Sequence, residues 1–314
     1  MRIVVTGGNG LVGNSIKDII SIYPNHAFTF ITRQECDLSS WYEVSNYFVR
    51  NSFDYIIHLA AKVGGLFKNL DSNIEMFSEN IAINENVLKA CRQFNIKRGI
   101  FCLSSCIFPC NPSTFPMSER AIHESPPHPS NEGYAYAKRM LELQCRLHNK
   151  AYGTEYICLI PVNLYGPHDN FNIRDGHVIP ALMNRFHGEK AKKDGRFIAY
   201  GTGRARRQFL YAPDFARLIC SILLDGTYDN TEPLICCWRE TSINQMVECL
   251  ADVMDIDKNK LEWDSDKSDG CMRKTVDNYK MWRYLPDGFL FTHMREGLKE
   301  TYSWFCKNQD NLRD

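Results

Sequence analysis

The sequence has no excess of charge of either sign and no long apolar run. Its 314 residues contain 37 basic and 37 acidic side chains, so charge gives no reason to expect nucleic acid or an anionic membrane as a partner. No apolar run approaches the roughly 20 residues that cross a bilayer. Because the first residues already read as a strand, we expect no signal peptide. These absences favour a cytoplasmic globular protein.

The sequence also lacks a paired cysteine motif, although thirteen cysteines are present. Cys102, Cys106 and Cys110 are spaced four residues apart, which matches no standard zinc pattern. We therefore predict no metal site, and we expect reduced thiols that are mostly buried and inert. The 44% hydrophobic content is enough for one large or two modest cores.

A glycine-rich turn follows the first predicted strand, residues 2–5, and reads TGGNGLVG over residues 6–13. Apolar residues then recur at helical spacing. Gly7 permits a tight turn, Gly10 lets the backbone approach a pyrophosphate, and Gly13 lets the helix pack on the sheet. The helix N-terminus offers free N–H groups to phosphate. The Gly-xx-Gly-xx-Gly spacing is typical of short-chain dehydrogenases. A glycine turn that binds nothing is the alternative.

The end of the second predicted strand, residues 28–31, indicates which nicotinamide cofactor fits. An NAD site usually places an acid there to hold the ribose hydroxyls, whereas this chain has Arg33. A guanidinium suits a 2′-phosphate, so the sequence favours NADP, although Glu35 lies only two residues further on. Asp37 and Leu38 are expected beside the adenine. Arg33 could instead be an ordinary surface charge.

A tyrosine and a lysine, Tyr134 and Lys138, are four residues apart at the start of a predicted helix. That spacing places them on one face, where the cation would stabilise the phenolate and bring proton exchange nearer neutral pH. A predicted strand over residues 99–103 delivers Ser104 and Cys106 to the carboxyl edge of the sheet, where such folds bind ligands. Taken alone, the pair could be a solvated helix face.

The alternation of strands and helices predicts an α/β fold, a Rossmann-type doubly wound parallel sheet with a smaller α/β C-terminal substrate lobe. We predict an NADP-binding domain over residues 1–165, with a returning segment near 212–237. The regular alternation loosens after Pro167. Residues 166–211 and 238–314 are therefore predicted to form the substrate-binding lobe.

Seven motifs then give the chain a family resemblance. They are AAKVGG at 60–65, SSCIFP at 104–109, YAYAK at 134–138, NLYGPHDNFN at 163–172, GHVIPAL at 176–182, RRQFLY at 206–211 and KSDG at 267–270. Over nearly its whole length the sequence resembles the extended short-chain dehydrogenase/reductase family. Within that family it is similar to the bifunctional enzymes that epimerise and reduce GDP-4-keto-6-deoxy-D-mannose with NADPH.

The resemblance implies definite residue roles. Ser104, Tyr134 and Lys138 match the reductase triad, and Cys106 and His177 match the acid/base pair of the epimerase. The matching cofactor-binding positions are Gly7, Gly8, Asn9, Gly10, Leu11, Val12, Gly13, Arg33, Asp37, Leu38, Leu59, Ala60, Ala61, Lys138, Pro161, Val162, Asn163, Leu164 and His177. The matching substrate-binding positions are Asn163, Arg185, Tyr200, Arg207 and Asp269.

Two of these positions depart from the family pattern. Asn9 stands where a bacterial form has arginine, which shifts more of the expected 2′-phosphate contact to Arg33, and Tyr200 stands where tryptophan is usual. Other positions keep simpler alternatives. Cys106 could be a structural thiol, and Asp269 could be a turn former. His177 could be a loop histidine, Arg185 could be solvated, and Arg207 could hold two lobes together.

The implied reaction has two parts. The C4 ketone acidifies the hydrogens on C3 and C5, which a thiol and an imidazole, with reference pKa values of about 8.5 and 6.5, can exchange. Hydride from NADPH then reduces C4, and the product is GDP-L-fucose. The resemblance also implies a homodimer through helices 81–94 and 135–149.

Two other functions stay open from the sequence. The first is an extended-family sugar-nucleotide epimerase or dehydratase with bound NAD. A dehydratase would need an Asp-Glu pair after the catalytic serine or threonine, where this chain has Ser105 and Cys106. The second is a non-catalytic NADP-binding regulator, which would be expected to lose one of Ser104, Tyr134 or Lys138.

Overall fold

The computed structural model describes residues 1–192, 194–225, 228 and 232–312. Within them the strands are β1 (Arg2–Thr6), β2 (Ala27–Ile31), β3 (Tyr55–His58), β4 (Arg98–Cys102), β5 (Glu155–Pro161), β6 (Asn163–Tyr165), β7 (Phe197–Tyr200), β8 (Arg206–Tyr211), β9 (Leu234–Cys236), β10 (Glu240–Ser242) and β11 (Leu261–Asp264). The helices are α1 (Leu11–Ile19), α2 (Trp41–Arg50), α3 (Leu66–Asp71), α4 (Asn73–Gln93), α5 (Glu132–Tyr152), α6 (Val178–Lys190), α7 (Ala212–Asp225), α8 (Ile243–Val253) and α9 (Met294–Lys307).

The larger sheet is parallel, and its strands run in the order β2-β1-β3-β4-β5-β9. Its strands are apolar on both faces, as in β1, where Ile3, Val4 and Val5 are fully buried. Such two-sided burial is what helices packed on both faces of a parallel sheet require. The predicted Rossmann-type sheet is confirmed. Its strand order reverses at β1, so a ligand crevice is expected at the carboxyl ends of β1 and β3.

A smaller lobe carries two further sheets. One has the order β10-β8-β6, and the other pairs β11 with β7. A second apolar cluster, which includes Phe171, Phe186 and Leu298, forms the core of this lobe. Residues 163–165 pair with β8, and β9 joins the large sheet. The predicted domain division stays a prediction, and residues 193, 226–227, 229–231 and 313–314, which it includes, lie outside the described residues.

Some helix boundaries differ from the predicted ones. The helix predicted over residues 81–94 in fact begins at Asn73. The sequence did not reveal its first turns because Ile74 and Phe77 face outwards there and hide the apolar periodicity. Helix α2 was not predicted, although the sequence carries its start signal. The Ser40 hydroxyl accepts a hydrogen bond from the Glu43 N–H at 3.4 Å, which matches the S-x-x-E pattern of a helix N-terminus.

Two further observations concern the whole described chain. All thirteen cysteines are free thiols, and the described residues contain no cluster of three or more His, Cys, Asp or Glu side chains arranged to hold a metal ion. Among the same residues, no helix has the length and apolar character that crossing a bilayer requires.

Candidate active site

The glycine turn after β1 is shaped so that side chains cannot enter it. Gly7 has a φ of +73°, and a Cβ added there would lie 2.9 Å from the Ala60 nitrogen. A Cβ on Gly13 would lie 2.5 Å from the Gly7 carbonyl oxygen. Helix α1 begins after Gly10, which brings no side chain to cap its first turn. The Gly8 and Gly10 N–H groups bond to the Ile31 and Gly7 carbonyls, so the part that fits a dinucleotide pyrophosphate is the first turn of α1, which no side chain caps.

Two basic residues, Arg33 and Lys17, lie near the end of β2. Arg33 is exposed, while the Glu35 carboxylate accepts hydrogen bonds from the Thr32 N–H and hydroxyl, both at 2.8 Å. The acid that weakened the NADP prediction is therefore held within its own turn. Sequence reasoning missed Lys17, whose ammonium lies 3.2 Å from the Asn9 Oδ1. It brings a cation beside Asn9, within the glycine turn.

The two positions predicted beside the adenine follow this turn. The Asp37 carboxylate accepts bonds from the Ser39 hydroxyl at 2.8 Å and from its N–H at 3.0 Å. These bonds lower the pKa of Asp37, so the carboxylate stays charged. Leu38 is buried. Asp37 is therefore oriented by its own turn, and Leu38 belongs to the core below it.

Four of the predicted catalytic side chains converge where β4 ends and α5 begins. Ser104 caps a short 3-10 turn, and its Oγ accepts a hydrogen bond from the Cys106 N–H at 3.2 Å. Tyr134 and Lys138 lie one turn apart on α5. The Lys138 ammonium donates to the Cys102 carbonyl at 2.7 Å and lies 5.9 Å from the centre of the Tyr134 ring. The structure thus brings a hydroxyl, a thiol, a phenol and an ammonium together.

The pKa of Tyr134 differs from the predicted one. Burial raises the pKa of Tyr134, and nearby Cys106 and Cys102 add to that rise, while the Ser104 hydroxyl acts to lower it. The expected lowering of the Tyr134 pKa is wrong, because burial is the largest cause acting on the phenol, and the Lys138 ammonium donates to a backbone carbonyl. Burial also lowers the pKa of Lys138. Tyr134 is therefore a neutral phenol at neutral pH, and its proton is available for donation.

His177, the second predicted acid/base residue, lies on a different loop. It is exposed and directly precedes α6. Its loop packs against residues 60–65, since the Gly65 N–H donates to the Asp175 carbonyl at 2.9 Å. The structure therefore holds the His177 loop against the loop that carries the predicted cofactor positions 60 and 61.

The remaining predicted cofactor positions lie at the carboxyl ends of β3 and β5. Pro161 ends β5, Val162 links it to β6, and Asn163 and Leu164 are the first residues of β6. The Asn163 amide donates to the Gln208 carbonyl at 2.9 Å, so this segment is fixed to β8.

Among the substrate positions, Arg185 and Tyr200 form a stacked pair. The guanidinium of Arg185 lies 4.2 Å from the centre of the Tyr200 ring, which is 49% exposed. Within the described residues, the buried Nε of Arg185 has no hydrogen-bond partner. A buried donor without an acceptor is rare, so this pair offers an unmet N–H and an open aromatic face.

Arg207 and Asp269 are joined through the backbone. The Arg207 guanidinium donates to the Asp269 carbonyl at 3.3 Å, and burial lowers the pKa of Arg207. The Asp269 carboxylate accepts from the Thr202 hydroxyl at 2.7 Å and from its N–H at 2.8 Å. Asp269 therefore fixes the loop before β8, and Arg207 keeps a desolvated charge.

Sequence reasoning also missed His58, the last residue of β3. It is fully buried, and its pKa is lowered to about 3, first by desolvation and then by the charge of Lys138. No local pattern marks this residue, because its partners come from β1 and α4.

The neutral state of His58 predicts a pH-dependent stability. An unfolded histidine binds a proton below a pH of about 6.5, whereas the folded one does not until about pH 3. The contribution of His58 to stability is therefore fully present above a pH of about 6.5 and is lost as the pH falls towards 3. From pH 7 to pH 5 this residue should cost about 2 kcal/mol in the free energy of unfolding.

Urea unfolding of the wild type and of His58→Gln at both pH values measures this cost. The variant, whose amide does not titrate, should lose about 2 kcal/mol less than the wild type between pH 7 and 5. The control is Phe101→Leu, which removes the ring that packs 5.7 Å from His58 and should destabilise equally at both pH values. Parallel losses in the wild type and His58→Gln would contradict a neutral buried imidazole.

The sheet, the glycine turn and the Ser-Tyr-Lys corner together define a nicotinamide-dependent protein of the short-chain dehydrogenase class. The chain belongs to the NAD dependent epimerase/dehydratase family, whose model matches residues 3–231. The predicted family membership is confirmed.

Named relatives share nearly the full length of the chain. The GDP-L-fucose synthase of Dictyostelium discoideum is 40% identical over 316 residues, covering 99% of this chain and 97% of that protein. The GDP-L-fucose synthase of Escherichia coli (strain K12) is 30% identical over 320 residues, covering 99% and 98%. The crystal structure of a GDP-L-fucose synthetase from Naegleria fowleri bound to NADP has a TM-score of 0.90 and 34% identity, covering 100% of this chain and 96% of that one.

Proposed function

We propose that the protein converts GDP-4-keto-6-deoxy-D-mannose to GDP-L-fucose by 3,5-epimerisation and NADPH-dependent 4-reduction. The observation that carries this proposal is the convergence of Ser104, Cys106, Tyr134 and Lys138 at the ends of β4 and α5. The names of the full-length relatives support the same reaction. The structure holding NADP in a relative supports the choice of cofactor.

In the epimerisation, Ser104, Cys106 and Tyr134, which meet where β4 ends and α5 begins, would polarise the ketone and move protons. This group of side chains, with Lys138, is the β4 corner. Ser104 and Tyr134 donate hydrogen bonds to the C4 oxygen and stabilise the enediolate that forms when C3 or C5 loses a proton. Cys106 lies beside Tyr134, where its thiol can exchange a carbon-bound proton. His177 would act from the opposite loop as the second acid/base group, so that a proton returns on the other face.

In the reduction, the same corner supplies the proton. The bound nicotinamide provides the hydride for C4. Tyr134 donates its phenolic proton to the C4 oxygen, and its raised pKa keeps that proton in place until the oxygen becomes basic. Lys138 is nearly fully buried and fixed to the Cys102 carbonyl, so its ammonium can stabilise the phenolate that remains. One site serves both reactions because both begin with the same polarised carbonyl.

The nucleotide part of the substrate would meet the smaller lobe. The two guanidinium groups, on Arg185 and Arg207, suit a diphosphate, since each can form charge-assisted hydrogen bonds with phosphate oxygens. The unmet Nε of Arg185 and the exposed ring of Tyr200 support a role in binding. Asn163 would contact the sugar from the β5 side, and Asp269 would act by fixing the loop that holds Arg207.

The proposed function is tested by incubating the enzyme with GDP-4-keto-6-deoxy-D-mannose and NADPH. We expect NADPH absorbance to fall with the substrate, and NMR of the product to identify GDP-L-fucose. Production of an unreduced sugar with tightly held NAD would favour the epimerase or dehydratase alternative. Cofactor binding without any turnover would favour the regulator.

Arg33→Ala should weaken NADPH binding more than NADH binding. A hydrogen bond to a charged group contributes on the order of 1.5–3 kcal/mol, which corresponds to roughly 10- to 100-fold in affinity. Arg33 is exposed, and the neighbouring acid, Glu35, is held by the Thr32 N–H and hydroxyl. Fluorescence titration of both cofactors measures the two losses.

A matched control for this variant is Arg283→Ala. Arg283 is an exposed arginine on the turn that packs against β9, at the opposite edge of the central sheet, so neither affinity should change. Equal losses of NADPH and NADH affinity in Arg33→Ala would show that this arginine does not recognise the 2′-phosphate.

We also propose a cytoplasmic homodimer. The free state of all thirteen cysteines suits a reducing compartment. Helices α4 and α5 pack side by side, and their outer surface exposes Ile74 and Phe77 beside Tyr136 and Met140 in one shallow groove. Burying this apolar groove against a second copy would stabilise the dimer.

A further inference from the structure

Three buried polar side chains beneath the active site have no role in the mechanism proposed above. Thr6 ends β1, His58 ends β3, and Asn84 lies in the middle of α4, and all three are fully buried. The Thr6 Oγ1 is 2.8 Å from His58 Nδ1, and His58 Nε2 is 3.1 Å from the Asn84 Oδ1. These contacts join three elements that are distant in sequence.

The partners of the two outer residues fix the direction of every hydrogen bond. The Asn84 Nδ2 donates to the Ala137 carbonyl at 3.5 Å, so its Oδ1 accepts from His58 Nε2–H. In a neutral imidazole Nδ1 is then an acceptor, and it takes the Thr6 hydroxyl proton. The Thr6 Oγ1 accepts in turn the backbone N–H groups of residues 59–60, both at 3.2 Å.

This chain of hydrogen bonds connects two parts of the proposed active site. At one end, residues 59–60 begin the loop that packs directly against Gly7 in the glycine turn. At the other end, Ala137 precedes Lys138, whose ammonium is fixed to the Cys102 carbonyl. A displacement of the cofactor loop would therefore be transmitted to α5, the helix that carries Tyr134 and Lys138.

The hydrogen bonds that join Thr6, His58 and Asn84 can all form only when the imidazole is neutral. A doubly protonated ring would have to donate to Thr6 as well as to Asn84, and Thr6 would lose the acceptor for its own proton. The charged group close to His58 is Lys138 on α5, which opposes a second positive charge, and the ring on the β4 side is Phe101. His58 is therefore held in one tautomer.

We propose that His58 is a positioning residue that locks the cofactor loop to the catalytic helix, acting through Thr6 on one side and Asn84 on the other. It neither touches the reacting atoms nor transfers a proton. The inference rests on the proposed function for its effect on turnover. Its effect on cofactor binding can be measured without any sugar substrate.

The test replaces the residue at each end of the hydrogen-bond chain by an apolar residue of similar size. Thr6→Val and Asn84→Leu should each weaken NADPH binding about tenfold and lower kcat about tenfold, the effect of one lost hydrogen bond. The important result is that each variant changes both quantities. Asn84 bonds to His58 and to the Ala137 carbonyl. The separate bonds from Asn80 on α4 to the Lys62 backbone are left in place by Asn84→Leu, so the expected effect on NADPH passes through the Thr6–His58–Asn84 hydrogen bonds.

Two further variants separate positioning from simple loss of stability. Thr6→Ser keeps the hydroxyl and should restore most of the NADPH affinity lost in Thr6→Val. Thr301→Val removes the buried hydroxyl that donates to the Gly297 carbonyl at 2.6 Å on α9. It should lower the unfolding temperature while NADPH affinity and kcat stay at wild-type values.

The double variant Thr6→Val/Asn84→Leu tests whether the chain acts as one unit. Its loss of NADPH affinity should be close to that of either single variant, well below the roughly hundredfold that independent losses would multiply to. Losses that multiply, or an Asn84→Leu enzyme that binds NADPH within twofold of the wild type, would overturn the proposal. The titrations need no sugar, so failure of the proposed reaction leaves them interpretable.

A measurement on the wild type covers the case in which the variants do not fold. NMR of protein labelled with ¹⁵N-histidine reads the tautomer of His58 directly. We expect a proton on Nε2 and none on Nδ1 at pH 7. A proton on Nδ1 would reverse the hydrogen bond to Thr6 and would also overturn the proposal.

Discussion

Replacing Tyr134 by phenylalanine is expected to lower the rate of NADPH oxidation by roughly 10²–10⁴-fold, the usual contribution of a positioned general acid. The change removes only the hydroxyl, so the ring can still pack against α5 and the β4 turn. Lys138 keeps its bond to the Cys102 carbonyl. NADPH binding should therefore remain while the proton needed at the C4 oxygen is missing.

The matched control is Tyr136→Phe, two residues further along the same helix. The Tyr136 ring lies 5.4 Å from the Arg139 guanidinium and faces the groove between α4 and α5, away from the β4 corner. This variant should oxidise NADPH at the wild-type rate. A Tyr134→Phe enzyme that kept half of the wild-type rate would remove this residue from the role of proton donor.

Cys106→Ser is expected to stop epimerisation and to leave the reductase residues intact. Serine is nearly isosteric, but its hydroxyl is far too weak an acid to exchange carbon-bound protons, so exchange should slow by at least about 10²-fold. Ser104, Tyr134 and Lys138 do not depend on the thiol. The variant should bind NADPH normally and make little GDP-L-fucose. It should slowly reduce the unepimerised ketone to a GDP-6-deoxyhexose.

The measurement is NMR of substrate deuteration at C3 and C5 in deuterated water, followed by identification of the product. Cys110→Ser is the control, because Cys110 is also half-buried and lies four residues further along the same loop. It should exchange both protons at the wild-type rate. Normal deuterium incorporation in Cys106→Ser would return this cysteine to a structural role.

The features that sequence alone determined are those set by short spacing. Gly7 and Gly13 could be assigned from the motif because the positive φ of Gly7 and the close approach of the Gly7 carbonyl to Gly13 both belong to the local turn. The pairing of Tyr134 with Lys138 followed from the pitch of a helix. The parallel sheet followed from short apolar strands that alternate with helices, since the strands of a parallel sheet are buried on both faces.

The tertiary structure decided what depends on burial and on contacts between distant residues. The pKa of Tyr134 is raised because the folded protein removes water from the phenol, and spacing from Lys138 carries no information about that burial. The partner of Arg185 is the ring of Tyr200, and both belong to the smaller lobe. Nothing in the local sequence of α6 indicates that the Arg185 Nε is buried without an acceptor.

The connection through His58 shows the same limit most clearly. Its hydrogen bonds reach Thr6 across 52 residues and Asn84 across 26 residues. No helical or strand period relates positions so far apart. The sequence determined the elements and the reactive groups because local spacing encodes them. Which buried groups meet, and which protons they carry, was decided by the order of strands in the sheet and by the removal of water around them.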